Sequence, residues 1–322
     1  MTVQLDAAGR LRHLISLHGL GAARITALLD RAADLRDAQR RGGAAALPPL
    51  LAGRTVTNLF FEPSTRTRTS FELAARRLGA LVVNFDIAAS STSKGETLED
   101  TLATLEAMDC DAFVVRHKEN GTPERLARHA RAAAVVNAGD GNHAHPTQGL
   151  LDALSIRDRL GSVEGRRVVI CGDVRHSRVA RSDADVFAAL GAREIRLCGP
   201  QALLPDPDAF PGCTRFDDFD AALDGAEVIV MLRLQKERMA GGLVPSAREF
   251  FRFYGLDAEK LRAAKPDAIV MHPGPMNRGV EIDSAVADDP SRSVIGEQVE
   301  MGVAVRMAVL DILSRGPGRN DR

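Results

Sequence analysis

Residues 55–85, TVTNLFFEPSTRTRTSFELAARRLGALVVNF, contain in order a strand, a turn, a helix and a second strand. The β-branched and aromatic run TVTNLFF (55–61) suits a strand. Pro63 interrupts it, and Ser64 or Thr65 stands where a helix N-cap belongs. Beyond them Phe71, Ala74, Ala75 and Leu78 fall at i, i+3, i+4 and i+7, which predicts a helix running to about Gly79. ALVVNF (80–85) is the next strand. A strand that feeds a helix and then another strand is the building unit of a parallel sheet covered by helices.

The same alternation continues along the chain. DAFVVR (111–116), AAAVVNA (132–138), RVVICGD (167–173), EIRLCG (194–199), AEVIVML (226–232) and DAIVMHP (267–273) are apolar runs separated mostly by helical patterns. Eight such strands could close one barrel. The helix from Pro146 to Leu160, followed by the turn GSVEG, instead reads as a bridge between two four-stranded units. The expected architecture is therefore α/β: two similar three-layer domains, each an open parallel sheet flanked by helices. The N-terminal stretch to Leu35 has apolar residues at helical spacing and reads as two helices. GGAAALPP (42–49) reads as a loop and SRGPGRNDR (314–322) as a polar tail.

Composition narrows the function classes. At 322 residues with 45% hydrophobic and 26% charged positions, the chain is an ordinary globular protein of about two domains. Forty-two Lys and Arg against 43 Asp and Glu give a net charge of −1. That removes the broad basic footprint of a nucleic-acid-binding protein, so any anion site must be local. With no Trp and one Tyr there is little material for base stacking or membrane belts. No run approaches a bilayer span and no signal-peptide core is present, so no membrane role is expected. Cys110, Cys171, Cys198 and Cys213 lack CxxC spacing, which suits buried free thiols in a reducing, cytoplasmic setting.

Ser64, Thr65, Arg66, Thr67 and Arg68 place five consecutive hydroxyl or guanidinium groups at a strand-to-helix turn. A helix N-terminus with unpaired N–H groups is an anion site, and hydroxyls with a guanidinium match the several acceptor oxygens of a phosphate. The turn is not a Walker loop, which requires GxxxxGK[ST]. GDVRHSRVA (172–180) lacks GxGxxG, and EIRLCGP ends without the acid that would hold a ribose, so no dinucleotide is expected. The eight histidines are scattered; His143 and His145 offer a pair with no further local ligand, so neither metal nor other cofactor is implied. No Ser-His-Asp or Cys-His signature marks a covalent nucleophile.

Five motifs in order, STRTR (64–68), SKGET (93–97), HPTQ (145–148), RLQKER (233–238) and HPGPMNRGVEI (272–282), resemble the aspartate carbamoyltransferase family across about residues 10–312. STRTR and HPxQ are shared with ornithine carbamoyltransferases, while RLQKER and the HP-x-P segment narrow the resemblance to aspartate. The resemblance implies transfer of a carbamoyl group from carbamoyl phosphate to L-aspartate, with the active site in the cleft between a carbamoyl-phosphate domain (1–145) and an aspartate domain (146–296). A final helix, about 297–313, would pack back on the first domain. It implies that Ser64, Thr65, Arg66 and Thr67 hold the phosphate, with Thr67, Arg116 and His145 on the carbonyl oxygen and Gln148 on the carbamoyl nitrogen. Arg68, two residues from Arg66, reads as structural.

For aspartate the resemblance implies Arg178 and Arg233 on the two carboxylates and Gln235 beside them. The turn containing Gly274 and Pro275 would place backbone carbonyls near the reacting nitrogen atoms. Family members often carry a larger residue where Gly274 stands. Ser90 and Lys94 would reach the neighbouring subunit's site, which makes a homotrimer the minimum active unit. The long N-terminal region resembles the bacterial subgroup that assembles with a dihydroorotase-like subunit in a dodecamer, more than the enteric type with its zinc-binding regulatory chain. An ornithine-specific enzyme and a non-catalytic paralogue are the alternatives. The first would find Arg233 ill-suited to a cationic side chain, and the second would be expected to have lost part of the set Ser64, Arg66, Lys94, Arg116 and His145.

Overall fold

The computed structural model describes residues 3–85, 95–235 and 246–314. They form two compact units, the first reaching Leu150 and resuming at Met301, the second running from Leu151 to Glu300.

In unit 1 the strands are β1 (Thr55–Phe60), β2 (Leu81–Asn84), β3 (Ala112–His117) and β4 (Ala134–Asp140). All pair parallel in the order β2-β1-β3-β4. The helices are α1 (Ala22–Gly42), α2 (Thr65–Arg77), α3 (Leu98–Ala107) and α4 (Thr122–His129). Every residue of β4 is buried, as is the centre of β1, which is the pattern of a sheet covered on both faces. α2 buries Thr67, Phe71, Ala74 and Ala75. Thr97 caps α3 by accepting the Asp100 N–H at 3.1 Å.

Unit 2 holds β5 (Arg167–Cys171), β6 (Glu194–Cys198), β7 (Thr214–Phe216), β8 (Val228–Met231) and β9 (Ile269–Met271), parallel in the order β7-β6-β5-β8-β9. α5 (Pro146–Leu160) leads into it, followed by α6 (Arg178–Ala189), α7 (Phe219–Leu223), α8 (Ala247–Tyr254) and α9 (Ser284–Ala287), and α10 (Ile295–Ser314) leads out. Both divisions between units therefore fall inside a helix. From Met301 onward α10 packs in unit 1, where Asp311 pairs with Arg31 at 2.7 Å and the Arg306 guanidinium lies 5.1 Å from the Phe71 ring centre.

Two expectations are corrected. The described residues contain nine strands, because Thr214–Phe216 adds an edge to the second sheet. Its three residues are too few and too exposed to show a period. The N-terminal stretch has one helix, α1, instead of two. Before it the chain runs beside β4, with the Leu14 N–H donating to Val135 O at 2.9 Å and Asn137 N–H donating to Leu14 O at 2.8 Å. β4 is an edge strand, and this segment satisfies backbone groups that the edge would otherwise leave open. The four cysteines are free, three of them buried and Cys213 half-buried.

Candidate active site

Open parallel sheets bind ligands beyond the C-terminal ends of their strands, where the strand order reverses. In unit 1 that reversal lies between β1 and β3. The turn after β1 carries Ser64 to Thr67, and Arg116, next to last in β3, lies directly opposite Phe60. Ser64 is the N-cap of α2, extended at φ −160°, and its side chain makes no capping bond, so the hydroxyl is not used on the helix. The first-turn N–H groups of a helix have no intrahelical acceptor. Thr67 is buried, whereas Thr65 and Arg66 are exposed, as is Arg68.

Arg116 is held from two sides. Its Nε lies 3.0 Å from Glu62 Oε2 and its Nη1 donates to Ala138 O at 3.2 Å. Glu62, two residues before Ser64, had no role in the sequence reading; the sheet register brings it to Arg116.

His145 follows β4 and immediately precedes α5, where its carbonyl accepts the Gln148 N–H at 2.9 Å. Both side chains are buried. The loop that delivers His145 is tied down by Asp140, whose side chain is wholly buried. Asp140 Oδ1 accepts from Asn137 Nδ2 at 2.8 Å and Ala144 N–H at 3.0 Å. Its Oδ2 accepts from Gly121 N–H at 2.8 Å and lies 3.1 Å from His143 Nδ1. Ser90 and Lys94 lie outside the described residues.

In unit 2 the strand order reverses between β5 and β8. Gly172, after β5, has φ +135°, and a Cβ there would come within 2.5 Å of Leu232 O, so only glycine lets the two strand-end loops approach. Arg178 is the first residue of α6 behind the N-cap Ser177, whose side chain accepts the Ala180 N–H at 3.1 Å. Asp173 fixes this loop, with its Oδ1 2.8 Å from His176 Nδ1. After β8, Gln235 Nε2 donates to His176 O at 3.2 Å, joining the loops that carry Arg178 and Arg233. The remainder of RLQKER and the GlyGly at 241–242 lie outside the described residues.

The turn after β9 is organised by His272. Its Nδ1 accepts the Gly274 N–H at 2.8 Å, which leaves the ring proton on Nε2, 3.2 Å from Glu281 Oε1. The same oxygen accepts the Asn277 N–H. Gly274 adopts φ +63°, where glycine is the least strained residue, and the Gly274–Pro275 bond is cis. Arg178, Arg233, Gln235, Gly274 and Pro275 thus sit beyond three neighbouring strand ends of one sheet.

A cavity of about 320 Å³ lies elsewhere, at the N-terminal ends of β1, β3 and β4, and several of its charged lining residues bond within the chain. Arg54 pairs with Asp111 at 2.9 Å, and Arg12 donates to Ala130 O and Arg131 O. Among the described residues no group of three or more His, Cys, Asp or Glu is placed to hold a metal ion, and no helix is long and apolar enough to cross a membrane.

The strand ends of one parallel unit thus carry a hydroxyl- and arginine-bearing turn with Arg116 and His145, and those of the other carry two arginines with a histidine-braced turn. Residues 12–158 match the aspartate/ornithine carbamoyltransferase carbamoyl-P binding domain and residues 164–313 the Asp/Orn binding domain of the same family. The chain belongs to the aspartate/ornithine carbamoyltransferase family. Among curated proteins it is 60% identical to the aspartate carbamoyltransferase catalytic subunits of Granulibacter bethesdensis, over 95% of this chain and 96% of that one, and of Acidiphilium cryptum, over 94% and 96%. Aspartate transcarbamoylase from Trypanosoma cruzi, solved with N-(phosphonacetyl)-L-aspartic acid, superposes with a TM-score of 0.84 at 34% identity, covering 96% of this chain and 98% of that one. Ornithine carbamoyltransferase from Pyrococcus furiosus superposes at 0.83 with 29% identity, covering 95% and 97%.

Proposed function

We propose that the chain transfers the carbamoyl group of carbamoyl phosphate to the α-amine of L-aspartate, giving N-carbamoyl-L-aspartate and phosphate, a step of pyrimidine synthesis. The observation that carries the reading is the gathering of the Ser64–Thr67 turn and Arg116 at the strand-order reversal of unit 1. The identity to aspartate carbamoyltransferase catalytic subunits supports aspartate as the acceptor. The amine nitrogen attacks the carbonyl carbon, the bond from that carbon to the phosphate oxygen breaks, and the phosphate leaves and takes the amine proton. Thr67, Arg116 and His145 stabilise the charge that develops on the carbonyl oxygen, the contribution that dominates in acyl transfer. Ser64, Thr65, Arg66 and Lys94 stabilise the leaving phosphate, and Gln148 accepts from the carbamoyl nitrogen. Arg178, Arg233 and Gln235 take the aspartate carboxylates, for which planar guanidinium groups are suited. The backbone at Gly274 and Pro275 borders the reacting nitrogens. No enzyme-bound intermediate and no cofactor takes part.

The chain acts as a cytoplasmic homotrimer in which Ser90 and Lys94 complete the neighbouring site. A dihydroorotase-like subunit is the favoured further partner, ahead of a zinc-binding regulatory chain. The reaction is tested by phosphate release from carbamoyl phosphate with L-aspartate, L-ornithine or no amine, with product identification. Aspartate-dependent N-carbamoylaspartate is expected; carbamoylation of ornithine alone would overturn the assignment. Arg178→Ala should raise the KM for aspartate and leave that for carbamoyl phosphate unchanged.

A further inference from the structure

Behind the aspartate-binding half of unit 2 lie two carboxyl groups that the proposed chemistry does not use. Asp152 on α5 and Asp183 on α6 both have no solvent exposure. The two carboxyls are neighbours, and burial together with the adjacent Asp152 carboxyl pushes Asp183 well above the usual carboxylate range. Among the described residues neither Asp183 oxygen receives a hydrogen bond. Two ionised carboxylates cannot stand together away from water, so one of them keeps a proton. The bonding around them decides which. Asp152 Oδ1 already accepts from Gln298 Nε2 at 2.6 Å, whereas both Asp183 oxygens are buried without a donor, so a proton held on Asp183 and directed at Asp152 satisfies both groups.

The chain of contacts continues toward the site. Gln298 Oε1 accepts the His272 N–H at 2.9 Å, and His272 begins the turn that its own ring braces through Gly274. At the other end, Asp183 is five residues along the helix that Arg178 begins. Two buried hydrogen bonds therefore join α5, α10 and the turn, and the adjacent carboxyl of Asp183 stands at the α6 end of the same line.

We propose that Asp183 is a neutral carboxylic acid whose proton, donated to Asp152, ties the Arg178 helix through Asp152 and Gln298 to the His272–Pro275 turn and so positions both sides of the aspartate half-site. It touches no substrate and acts only through these neighbours. A buried carboxyl kept protonated serves here as a donor, which an ionised Asp cannot be. The consequence for aspartate rests on the assignment of Arg178 and the turn given above; the protonation does not.

The test combines infrared difference spectroscopy with kinetics on the full chain. The wild-type minus Asp183→Asn spectrum at neutral pH is expected to show the carbonyl band of a protonated carboxylic acid, moving to lower frequency in D2O. Asn supplies an N–H in place of the O–H, so Asp183→Asn should keep the KM for aspartate within about two-fold. Asp183→Ala should raise it roughly ten-fold, the size of one lost hydrogen bond to a charged group, with the KM for carbamoyl phosphate unchanged. If the Ala variant does not fold, the spectrum and the Asn variant decide. Absence of an Asp183-dependent acid band overturns the proposal, as does a band accompanied by an unaltered aspartate KM in a folded Ala variant. Were the acceptor another amine, the band would remain and the KM effect would appear with that amine.

Discussion

Replacing Asp140 by Asn and by Ala should give sharply different enzymes, because its two oxygens serve different neighbours. Oδ1 receives Asn137 Nδ2 and the Ala144 N–H, neither of which can become an acceptor, and Asn137 cannot turn over since its Oδ1 already accepts the Gly139 N–H at 2.8 Å. Oδ2 faces the Gly121 N–H and His143 Nδ1, and the imidazole can accept by changing tautomer. An Asn side chain will therefore place its oxygen at the Oδ1 position and its NH2 toward Gly121 and His143. One hydrogen bond, that of Gly121, is lost with its donor half-buried, about 2 kcal/mol or roughly thirty-fold faster amide exchange at that residue. Ala144 keeps its acceptor, so His145 stays in place and kcat should fall by no more than about three-fold. Ala removes every acceptor at once. The loop 141–144 is then released, and a displacement of His145 by about 1 Å lowers kcat roughly a hundred-fold. Hydrogen exchange resolved at Gly121 and Ala144, with kcat at saturating substrates and circular dichroism to confirm folding, reads all three quantities. Equal losses of kcat in the two variants, or equal deprotection of Gly121 and Ala144 in the Asn variant, would refute the reasoning.

Burial pushes His13 down to about 4 from 6.5, so the unfolded chain binds its proton more tightly than the folded one. The stability this group contributes is complete above pH 6.5 and is lost as pH falls toward 4, about 3 kcal/mol in all. His13→Gln should flatten that part of the pH dependence of urea unfolding, and an unaltered slope would show that His13 is not its source. Glu62→Gln keeps an oxygen for Arg116 but removes the charge; a loss of about 1–2 kcal/mol should lower kcat/KM for carbamoyl phosphate roughly five- to thirty-fold. An unchanged value would mean that Glu62 does not orient the guanidinium. Lys94→Ala and Arg66→Ala proteins, each weak by itself, should regain activity when mixed and reassembled, because a shared site combines intact halves from two subunits. Confirmed hybrid trimers without recovery would count against sharing.

The strands and the anion turn were legible because their causes are local. Val114, Val115, Val168, Val169 and Ile170 fill buried strands wherever they occur, and a Pro63-Ser64 junction before a helical period marks a helix start in any context. The N-terminal segment misled because LRHLISL has helical spacing, while its actual partner, β4, lies more than a hundred residues away. Nothing in residues 11–17 signals that an edge needs covering. Glu62, Asp140, Asp173, Glu281 and Asp183 were missed for the same reason. A carboxylate in a loop or on a helix is a common surface residue, and only the assembled backbone shows which donors surround it.

Three of those missed acids share one physical cause. Strand-end loops that bend tightly enough to aim His145, Arg178 or Gly274 cannot satisfy all their own N–H groups, and a buried carboxylate accepts several at once where a hydroxyl would accept fewer. Asp140 serves this purpose after β4, Asp173 after β5 and Glu281 after β9. A net charge of −1 leaves room for local positive sites, because Lys and Arg are matched in number by Asp and Glu spread along the chain. Asp183 differs from the other three in having a carboxylate, not an N–H, as its neighbour. In that setting an ionised acid would break the loop support, and a protonated one completes it.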